Sequence, residues 1–507
     1  MKKLLMMIFI LLMCISAAGQ YGDAFIFGER ILSMTQKSID TKDRDIVLKS
    51  VAFLYAQTKR EDEGVAALRM IKNESEFIPA VMTFARILSD KSNFKKAVEV
   101  TALLKNEYRV EMLIDISESM INSGRVNECR DVLNTAEREI LESFDPYRRT
   151  KFYSLLSSNH YRIKNTPKAL ELISKALWTA QSIKDSDKKA FALKDVSLAY
   201  LSMNNRIISM FVENQINSAK NPMTLMEISL HYIEAGEKEG AKKFLNTAKK
   251  RAEKEKNMKL KAKMLYEAAY IYAKLGMTKS SEECAQISLS SAKMIQSRSD
   301  RINAIITANN IFQKDDVYAS ALQEIPLISD YSERVSMMID ISSGYMSMGM
   351  KEKSFFLLKV ILGELKKNKQ LLNMENVLER VSDIYIDYGS SRECMDFISF
   401  VKRDFSEYPL IISKMYYANG NCSDAVKYSD KSKDWKKRSI QKIKITELAF
   451  NSFDKGLSQD MLEIMLKEIS NSNDALYKSI FLSEVALLCV KYEIPLEKRT
   501  LSLLEKI

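Results

Sequence analysis

The sequence predicts an all-α protein in which pairs of antiparallel helices stack into a solenoid. Three observations predict this fold. Glycine and proline are scarce, with 14 and 7 copies in 507 residues, one helical pattern recurs along most of the chain, and small residues recur at fixed places within it. A chain of this length exceeds what one hydrophobic core usually serves, so it divides into domains or runs as a repeat array. The remaining composition, rich in Leu, Lys, Glu, Ala, Met and Ser, favours helix.

The recurring pattern is clearest around Leu225. Leu225, Ile228, Ser229 and Tyr232 lie at offsets 0, 3, 4 and 7, which places them on one face of a helix. Gly236 follows four positions after the tyrosine, where a helix often ends with positive φ. The same spacing, closed by Gly276, Gly349 and Gly389, recurs from first positions Leu265, Met338 and Leu378.

Degenerate copies extend this register to thirteen units. Their first positions are Leu48, Val81, Leu113, Tyr153, Leu193, Leu225, Leu265, Ala304, Met338, Leu378, Pro409, Ile445 and Leu482. We expect a second helix after each first one, entering the core with a small residue nine positions after offset 7. These small residues are Gly64, Ala97, Cys129, Ala169, Ser209, Ala241, Ser281, Ser320, Ser354, Cys394 and Ala425. Small residues here and at offset 4 let two antiparallel helices approach closely.

The pattern resembles the tetratricopeptide repeat (TPR) over about residues 46–500. Its order is a bulky residue, Leu, a small residue, Tyr, Gly and then Ala. The resemblance implies a right-handed α-solenoid. Several units span 39 or 40 residues where the family has about 34, and we expect the extra residues to lengthen second helices, as at 172–183 and 289–295. Residues 1–18 are then a signal peptide, 19–45 an N-terminal capping helix, and 46–507 the TPR-like array.

The N-terminus has the pattern of a secretory signal peptide. Lys2 and Lys3 precede an uncharged apolar stretch at 4–15, and small residues end at Ala18, after which we expect cleavage. Export to the periplasm or the extracellular space, most simply of a bacterium, follows from that pattern. Two alternatives stay open, lipidation at Cys14 and retention of the segment as an uncleaved anchor. No later stretch is expected to span a membrane.

Few residues suit catalysis, so we expect no enzyme, no cofactor and no metal site. Of the two histidines, His160 takes the aromatic position of its unit, where a core imidazole is the simpler explanation, and His231 stands beside the equivalent Tyr232. Cys129 and Cys394 occupy the small second-helix position of distant units, and a solenoid unit contacts only its neighbours, so the two are not expected to pair. Cys422 lies in an expected turn and is the cysteine expected to be reactive.

Charge is the other conspicuous feature. The net charge of +11 is a mild surplus for this length, which suits an anionic partner but not nucleic acid. Ten basic residues crowd the segment from Lys242 to Lys263, and a smaller cluster runs from Lys431 to Lys444 around Trp435. Each is either a solvated face or an anion-binding ridge.

The TPR resemblance also implies a binding groove. In that family the concave surface comes from first-helix positions two before and one, five, eight and nine after the first bulky residue. Carried onto the units at Leu265 and Leu225, these positions give as candidate groove residues Lys263, Tyr266, Tyr270, Lys274, Met226 and Leu230.

We therefore expect an exported scaffold that binds a peptide, a protein or an anionic envelope component such as a polymer or lipid head groups. Stacked helix pairs offer an extended surface for such partners. Two other functions stay open. One is a glycan-processing enzyme of the cell envelope on a helical scaffold, and the other is a structural subunit of an envelope or secretion complex.

Overall fold

The structure, a computed structural model, describes residues 26–34, 41–141, 144–368, 373–451 and 455–507. The expected signal peptide at 1–18 and Cys14 lie outside the described residues. Within the expected capping segment, residues 26–34 are helical (α1), and the next helix begins at Thr41, inside the segment 19–45.

The remaining helices alternate between two roles, first and second helix of a pair. First helices are α2 Thr41–Gln57, α4 Glu74–Asp90, α6 Asn106–Asn122, α8 Pro146–Arg162, α10 Ser186–Ser202, α12 Pro222–Glu234, α14 Met258–Lys274, α16 Arg298–Phe312, α18 Tyr331–Ser347, α20 Met374–Tyr388, α22 Pro409–Ala418, α24 Trp435–Asn451 and α26 Ala475–Lys491. Second helices are α3 Glu61–Arg69, α5 Phe94–Thr101, α7 Val126–Arg138, α9 Thr166–Gln181, α11 Arg206–Ile216, α13 Lys238–Ala252, α15 Thr278–Lys293, α17 Asp315–Glu324 with a 3₁₀ turn at Ile325–Leu327, α19 Lys351–Lys367, α21 Ser391–Asp404, α23 Cys422–Ser429, α25 Lys455–Ser470 and α27 Lys498–Lys506.

The all-α fold class is confirmed. Helices pack against their chain neighbours as antiparallel pairs, and the described residues contain no strand. All thirteen expected first positions fall on the first helices α2 to α26. The expected lengthening of second helices is also found. In the units that begin at 153 and 265 the second helices α9 and α15 have 16 residues each, whereas in the shorter units at 48 and 81 the helices α3 and α5 have 9 and 8.

One unit was assigned one residue out of register. Thr307, expected in the core of α16, is exposed, and the buried residues are Ile302, Ile305, Ile306, Ala308 and Asn309. The unit therefore starts at Ile305 rather than Ala304. Its second helix enters the core with Ala321 instead of the expected Ser320, which is exposed.

The reason for the shift is a polar residue in a core position. Asn309 takes the small-residue offset of α16 and is fully buried. Its side-chain amide donates to the Lys314 carbonyl at 2.8 Å and accepts from the Lys314 amide at 3.1 Å, so both of its polar groups have partners. A buried asparagine satisfied in this way costs little, but in the sequence it looks like a surface residue.

The two helices of a pair meet at the expected small residues, and the contact is a hydrogen bond as well as a close approach. The Ser229 hydroxyl donates to the Ala241 carbonyl at 2.8 Å across α12 and α13. The same bond across twelve residues joins Ser157 to Ala169, Ser281 to Ala269 and Ser413 to Ala425, at 2.6 to 2.8 Å. All of these serines are buried.

The turn between paired helices is fixed by a left-handed residue four positions after the aromatic offset. Gly236 has φ +80°, and the next residue, Glu237, donates its amide to the Tyr232 carbonyl at 2.8 Å. The position also carries other residues, Lys164 at φ 63° among them. Gly389 departs from the expectation, with φ −76° and extended backbone.

Successive pairs are joined by basic residues four positions before the first bulky residue. Lys261 donates to the Glu253 carbonyl at 2.6 Å, Arg301 to the Ile295 carbonyl at 2.9 Å, and Arg334 to the Ile328 carbonyl at 2.7 Å. Each acceptor lies just beyond the preceding second helix, where helix carbonyls lack partners and a positive charge is favourable. Arg301 fits this spacing only with the unit starting at Ile305, which supports the revised register.

The chain divides into two compact units. One comprises Met1–Glu139 and Cys394–Ile507, and the other Ile140–Glu393. In the first unit the two ends of the chain meet, since α2 packs against α26 and Arg30 donates to the Glu505 carbonyl at 3.1 Å. The expectation that a unit contacts only its neighbours is therefore wrong at these ends.

In the second unit a core of buried side chains runs without a break through consecutive pairs, from Ala169 to Ala285. Across the described part of the chain, no helix combines the length and apolar character needed to cross a bilayer.

The left-handed turn position predicts opposite effects for two substitutions. Gly236→Ala should lower the free energy of unfolding by about 1 kcal/mol, because an L-residue is strained there. Lys164→Gly should leave it unchanged or raise it by up to about 1 kcal/mol, because strain relief opposes the greater backbone entropy of the unfolded chain. Denaturant unfolding measures both, with Lys242→Gly inside α13 as the control that should lose about 1 kcal/mol. A loss of that size at Lys164 would contradict the assignment.

The paired serine bond predicts that Ser229→Ala costs about 1 kcal/mol of unfolding free energy, because it removes one buried hydrogen bond and leaves no large cavity. Ser229→Val should cost more, since it also forces α12 and α13 apart. The exposed Ser290 bonds only within its own helix, and Ser290→Ala should change the unfolding free energy by less than about 0.5 kcal/mol. Equal losses for the two alanine variants would show that the bond between helices contributes nothing.

Candidate binding groove

Three successive first helices of the second unit, α14, α16 and α18, line an open groove, which we call the α14–α18 groove. Its first part, between α14 and α16, has a volume of about 580 Å³. Leu260, Ala262, Tyr266 and Ala304 supply apolar surface there, and the polar lining is Asn257, Lys259, Lys263, Glu267, Ser288, Asp300, Asn303 and Thr307.

The second part continues between α16 and α18, with a volume of about 530 Å³. It shares Asn303 and Thr307 with the first part, so the two are continuous. Amides and hydroxyls dominate its lining, which comprises Asn303, Ile306, Thr307, Asn310, Gln313, Asp340, Ser343, Gly344 and Ser347.

The lining follows the positions that the TPR resemblance implies, once the register of α16 is revised. Positions two before and one, five and eight after Ile305 are Asn303, Ile306, Asn310 and Gln313, and all four line the groove, whereas Lys314, nine after, does not. With Ala304 as the first residue the same rule would select Ile302, Ile305, Asn309, Phe312 and Gln313, and of these Gln313 alone is in the groove lining. The earlier register therefore conceals Asn303, Ile306 and Asn310.

Of the six candidate groove residues, two line the groove, namely Lys263 and Tyr266. Tyr270 and Lys274 lie further along α14, where the Lys274 ammonium sits 4.9 Å from the centre of the Tyr270 ring. On α12, Met226 is buried with 2% exposure, which leaves little of it for a ligand, and Leu230 packs half-buried against the core.

Most charges in the groove are paired. Lys259 Nζ lies 2.7 Å from Asp300 Oδ1, and Arg380 bonds to both Asp340, at 2.7 Å, and Ser336, at 2.8 Å. Burial raises the pKa of Asp340, although the Arg380 guanidinium opposes the rise. Among the described residues Lys263 has no salt-bridge partner, so it is a cation that a ligand could neutralise. The lining of the α14–α18 groove is therefore mainly neutral and polar rather than basic.

Two asparagines line the groove, and the side chain of Asn310 is held in a defined orientation. Asn310 accepts the Tyr318 hydroxyl at 2.6 Å, which fixes its carbonyl and points both amide hydrogens elsewhere. Tyr318 itself is buried, and burial raises its pKa to about 12. Asn303 lies seven residues before Asn310, two turns away on the same face of α16. The two amides therefore line one edge with donors and acceptors.

The segment from Lys242 to Lys263 is only partly a free basic ridge. Lys249 pairs with Glu283 at 2.7 Å and Lys243 with Glu213 at 3.6 Å. Arg251 bonds to the Asn217 carbonyl at 2.6 Å, which joins two pairs. The exposed remainder includes Lys250, Lys254 and Lys256.

Two members of the cluster around Trp435 are structural, while Lys431, Lys433, Lys436, Lys437 and Lys444 are exposed. Lys442 is 3% exposed and lies 2.8 Å from Glu468 and 2.5 Å from Asp430. Arg438 also bonds to Glu468, at 2.6 Å. Trp435 packs edge-on against Tyr477 and Phe481.

His160 and the cysteines are packing residues, whereas His231 is partly exposed. His160 is fully buried in the aromatic position of its unit, with Nδ1 3.4 Å from the Asn165 side-chain nitrogen. His231 lies 3.3 Å from Glu234. The five described cysteines are free thiols, and Cys422, expected in a reactive turn, begins α23 and is buried. Within the described ranges no group of three or more His, Cys, Asp and Glu side chains is placed to hold a metal ion.

Comparison with known families identifies no relative. No protein-family profile matches the sequence. No curated protein matches it either.

Three solved structures match this chain with low TM-scores. Ton1535 from Thermococcus onnurineus NA1 is 12% identical with a TM-score of 0.28, over 80% of this chain and 98% of that one. The apo form of the quorum sensor NprR from B. thuringiensis is 13% identical with a TM-score of 0.23, over 64% and 99%. Yeast Tom70 is 10% identical with a TM-score of 0.29, over 87% and 99%. TM-scores this low carry no inference about function.

Burial predicts that the cysteines at 129, 284, 394, 422 and 489 resist alkylation in the native protein. Burial raises the pKa of Cys284 to about 12 and that of Cys422 above its usual value, so both stay protonated and unreactive at neutral pH. Peptide mass mapping after iodoacetamide treatment measures each site separately. Full labelling is expected after denaturation, and rapid native labelling of Cys422 would restore the reactive-turn interpretation.

Proposed function

We propose that this chain is a non-enzymatic scaffold that binds an extended peptide segment of a protein partner in the α14–α18 groove. The observation that carries the proposal is the continuity of the groove across three first helices, with an apolar part and an amide-rich part. An extended peptide presents backbone donors and acceptors along its length and side chains to alternate sides. The amide-rich part of the groove can hydrogen-bond to the peptide backbone, and the apolar part can receive a peptide side chain.

The two parts of the groove suit different parts of such a peptide. Leu260, Tyr266 and Ala304 would receive an apolar side chain, while Asn303 and Asn310 would bond to the peptide backbone. Packed helices lie roughly 8–10 Å apart, so three successive helices span roughly 20 Å, the length of about six extended residues. Lys263 is the cation available to a carboxylate on the peptide.

We further infer that the array is a divergent member of the TPR family and that it works outside the cytoplasm. Family membership is supported by the thirteen first helices in one register and by the groove positions on α16. Export is supported by Lys2, Lys3, the apolar stretch at 4–15 and Ala18, which together have the pattern of a cleavable leader.

Selection from a phage-displayed library of random linear peptides tests the binding function. We expect enrichment of related sequences with an apolar anchor on the immobilised protein. The enriched peptide, labelled for fluorescence anisotropy, should bind the Lys263→Ala/Asn303→Ala variant at least about tenfold more weakly, because an ionic contact and a hydrogen bond are lost. Both side chains are exposed, so far-UV circular dichroism should stay unchanged.

Tyr270→Ala/Lys274→Ala is the matched control on the same helix. These residues lie outside the groove lining, so peptide affinity should stay within about twofold of wild type. If this control loses affinity while Lys263→Ala/Asn303→Ala keeps it, the site lies elsewhere on α14. If no peptide is enriched over an unrelated helical protein, the peptide-binding function is wrong.

A further inference from the structure

A second surface lies on the solvent side of the second helices α9 and α11, away from the groove. Five large apolar side chains are exposed there. They are Leu170 at 49%, Trp178 at 80%, Ile207 at 84%, Met210 at 51% and Phe211 at 63%. Soluble proteins seldom expose contiguous apolar patches beyond a few hundred Å² without a binding role.

The repeat places these residues on the solvent side of two neighbouring second helices. Helices α9 and α11 belong to neighbouring pairs and both pack on α10. Leu170 and Met210 each follow the small core residue of their helix by one position, so they occupy equivalent places on the solvent side. Ile207 and Phe211 lie one turn apart on α11.

The next second helix, α13, borders this patch with positive charge. Arg206 on α11 pairs with Glu237 at 2.6 Å, and Lys243 donates to Asn214 on α11 at 2.7 Å, so α11 and α13 lie side by side. Six basic residues against Glu239 give α13 a net charge of +5. Lys242 takes the position equivalent to Met210, and Lys242 and Lys250 are in no salt bridge of the described residues.

We propose that this outer patch, made of the five apolar residues with Lys242 and Lys250, docks the protein onto an anionic lipid bilayer. Apolar side chains that protrude from helices suit a deformable hydrocarbon interface, whereas a protein partner needs a groove shaped to receive them. The lysines beside them complement anionic head groups, and tryptophan favours the boundary between head groups and acyl chains. The surface is distinct from the α14–α18 groove and does not depend on peptide binding.

Trp178 is a built-in reporter for this contact. The chain has two tryptophans, and the other, Trp435, packs among aromatic rings. Titration of the full chain with vesicles of phosphatidylcholine mixed with phosphatidylglycerol should shift the Trp178 emission to shorter wavelength. Phosphatidylcholine vesicles alone should produce a much smaller shift, and Trp178→Phe should abolish it.

Two pairs of substitutions separate the apolar and the electrostatic contributions. Ile207→Ser/Phe211→Ser should raise the lipid concentration at half-maximal shift by about tenfold or more. Lys242→Gln/Lys250→Gln should weaken binding to the anionic vesicles by about fivefold for each lysine, and this part should fade with added salt. Phe356→Ser is the matched control, since Phe356 is 71% exposed and follows the small residue Ser354 of α19 by two positions, as Phe211 follows Ser209. It should leave the titration unchanged.

Circular dichroism melting keeps these results interpretable, because the substituted side chains are exposed except for the half-buried Lys242, and the melting curves should coincide. The proposal is overturned if the Trp178 emission does not shift with anionic vesicles, or if Phe356→Ser weakens the shift as much as the patch variant does. It is also overturned if light scattering shows a dimer that Ile207→Ser/Phe211→Ser dissociates, since the patch would then be a self-association surface.

Discussion

The close approach of two small residues, one on each helix of a pair, is the contact on which the rest of the architecture depends. At Ser157, Ser229 and Ser413 the first-helix hydroxyl bonds across twelve residues to the second helix, whereas Ser382 bonds within its own helix. That contact fixes both the spacing of the two helices and their register along the axis. With the two helices fixed relative to each other, the chain that joins them has little freedom. The positions of the aromatic residue at offset 7, of the left-handed turn residue and of the start of the next helix pair follow from it.

This constraint explains why the fold could be predicted from the sequence. Residues that must be small, or must be buried, recur at rigid intervals and are visible without knowledge of their partners. The prediction failed where a buried residue was polar. Asn309 satisfies its amide with the backbone at Lys314, a solution that depends on three-dimensional geometry. With Asn309 taken as a surface residue, the apolar residues of α16 fit the repeat pattern one residue too early.

The binding surfaces were less predictable, because exposure depends on what neighbouring helices cover. Lys263 and Tyr266 were found from the resemblance, but Asn303 and Asn310 belong to α16, a unit to which the groove positions were not carried and whose expected register was one residue early. Met226, which takes the same position in its unit as Tyr266, is buried. Basic residues were equally ambiguous in the sequence. Lys261 donates a hydrogen bond to the Glu253 carbonyl at the end of α13, whereas Lys250 is exposed to solvent. Both lie in the same basic segment, from Lys242 to Lys263.

The contact between the ends of the chain has a consequence for how the protein forms. Arg30 and the Glu505 carbonyl are 475 residues apart in sequence, so this packing joins segments that are far apart along the chain. Neighbouring helix pairs can form as soon as each is synthesised, but α2 cannot pack against α26 until that much later helix has been synthesised. Contacts between residues so distant in sequence form slowly. The N-terminal pairs therefore wait longest for their final neighbours, with apolar surface exposed to aggregation or to chaperones meanwhile.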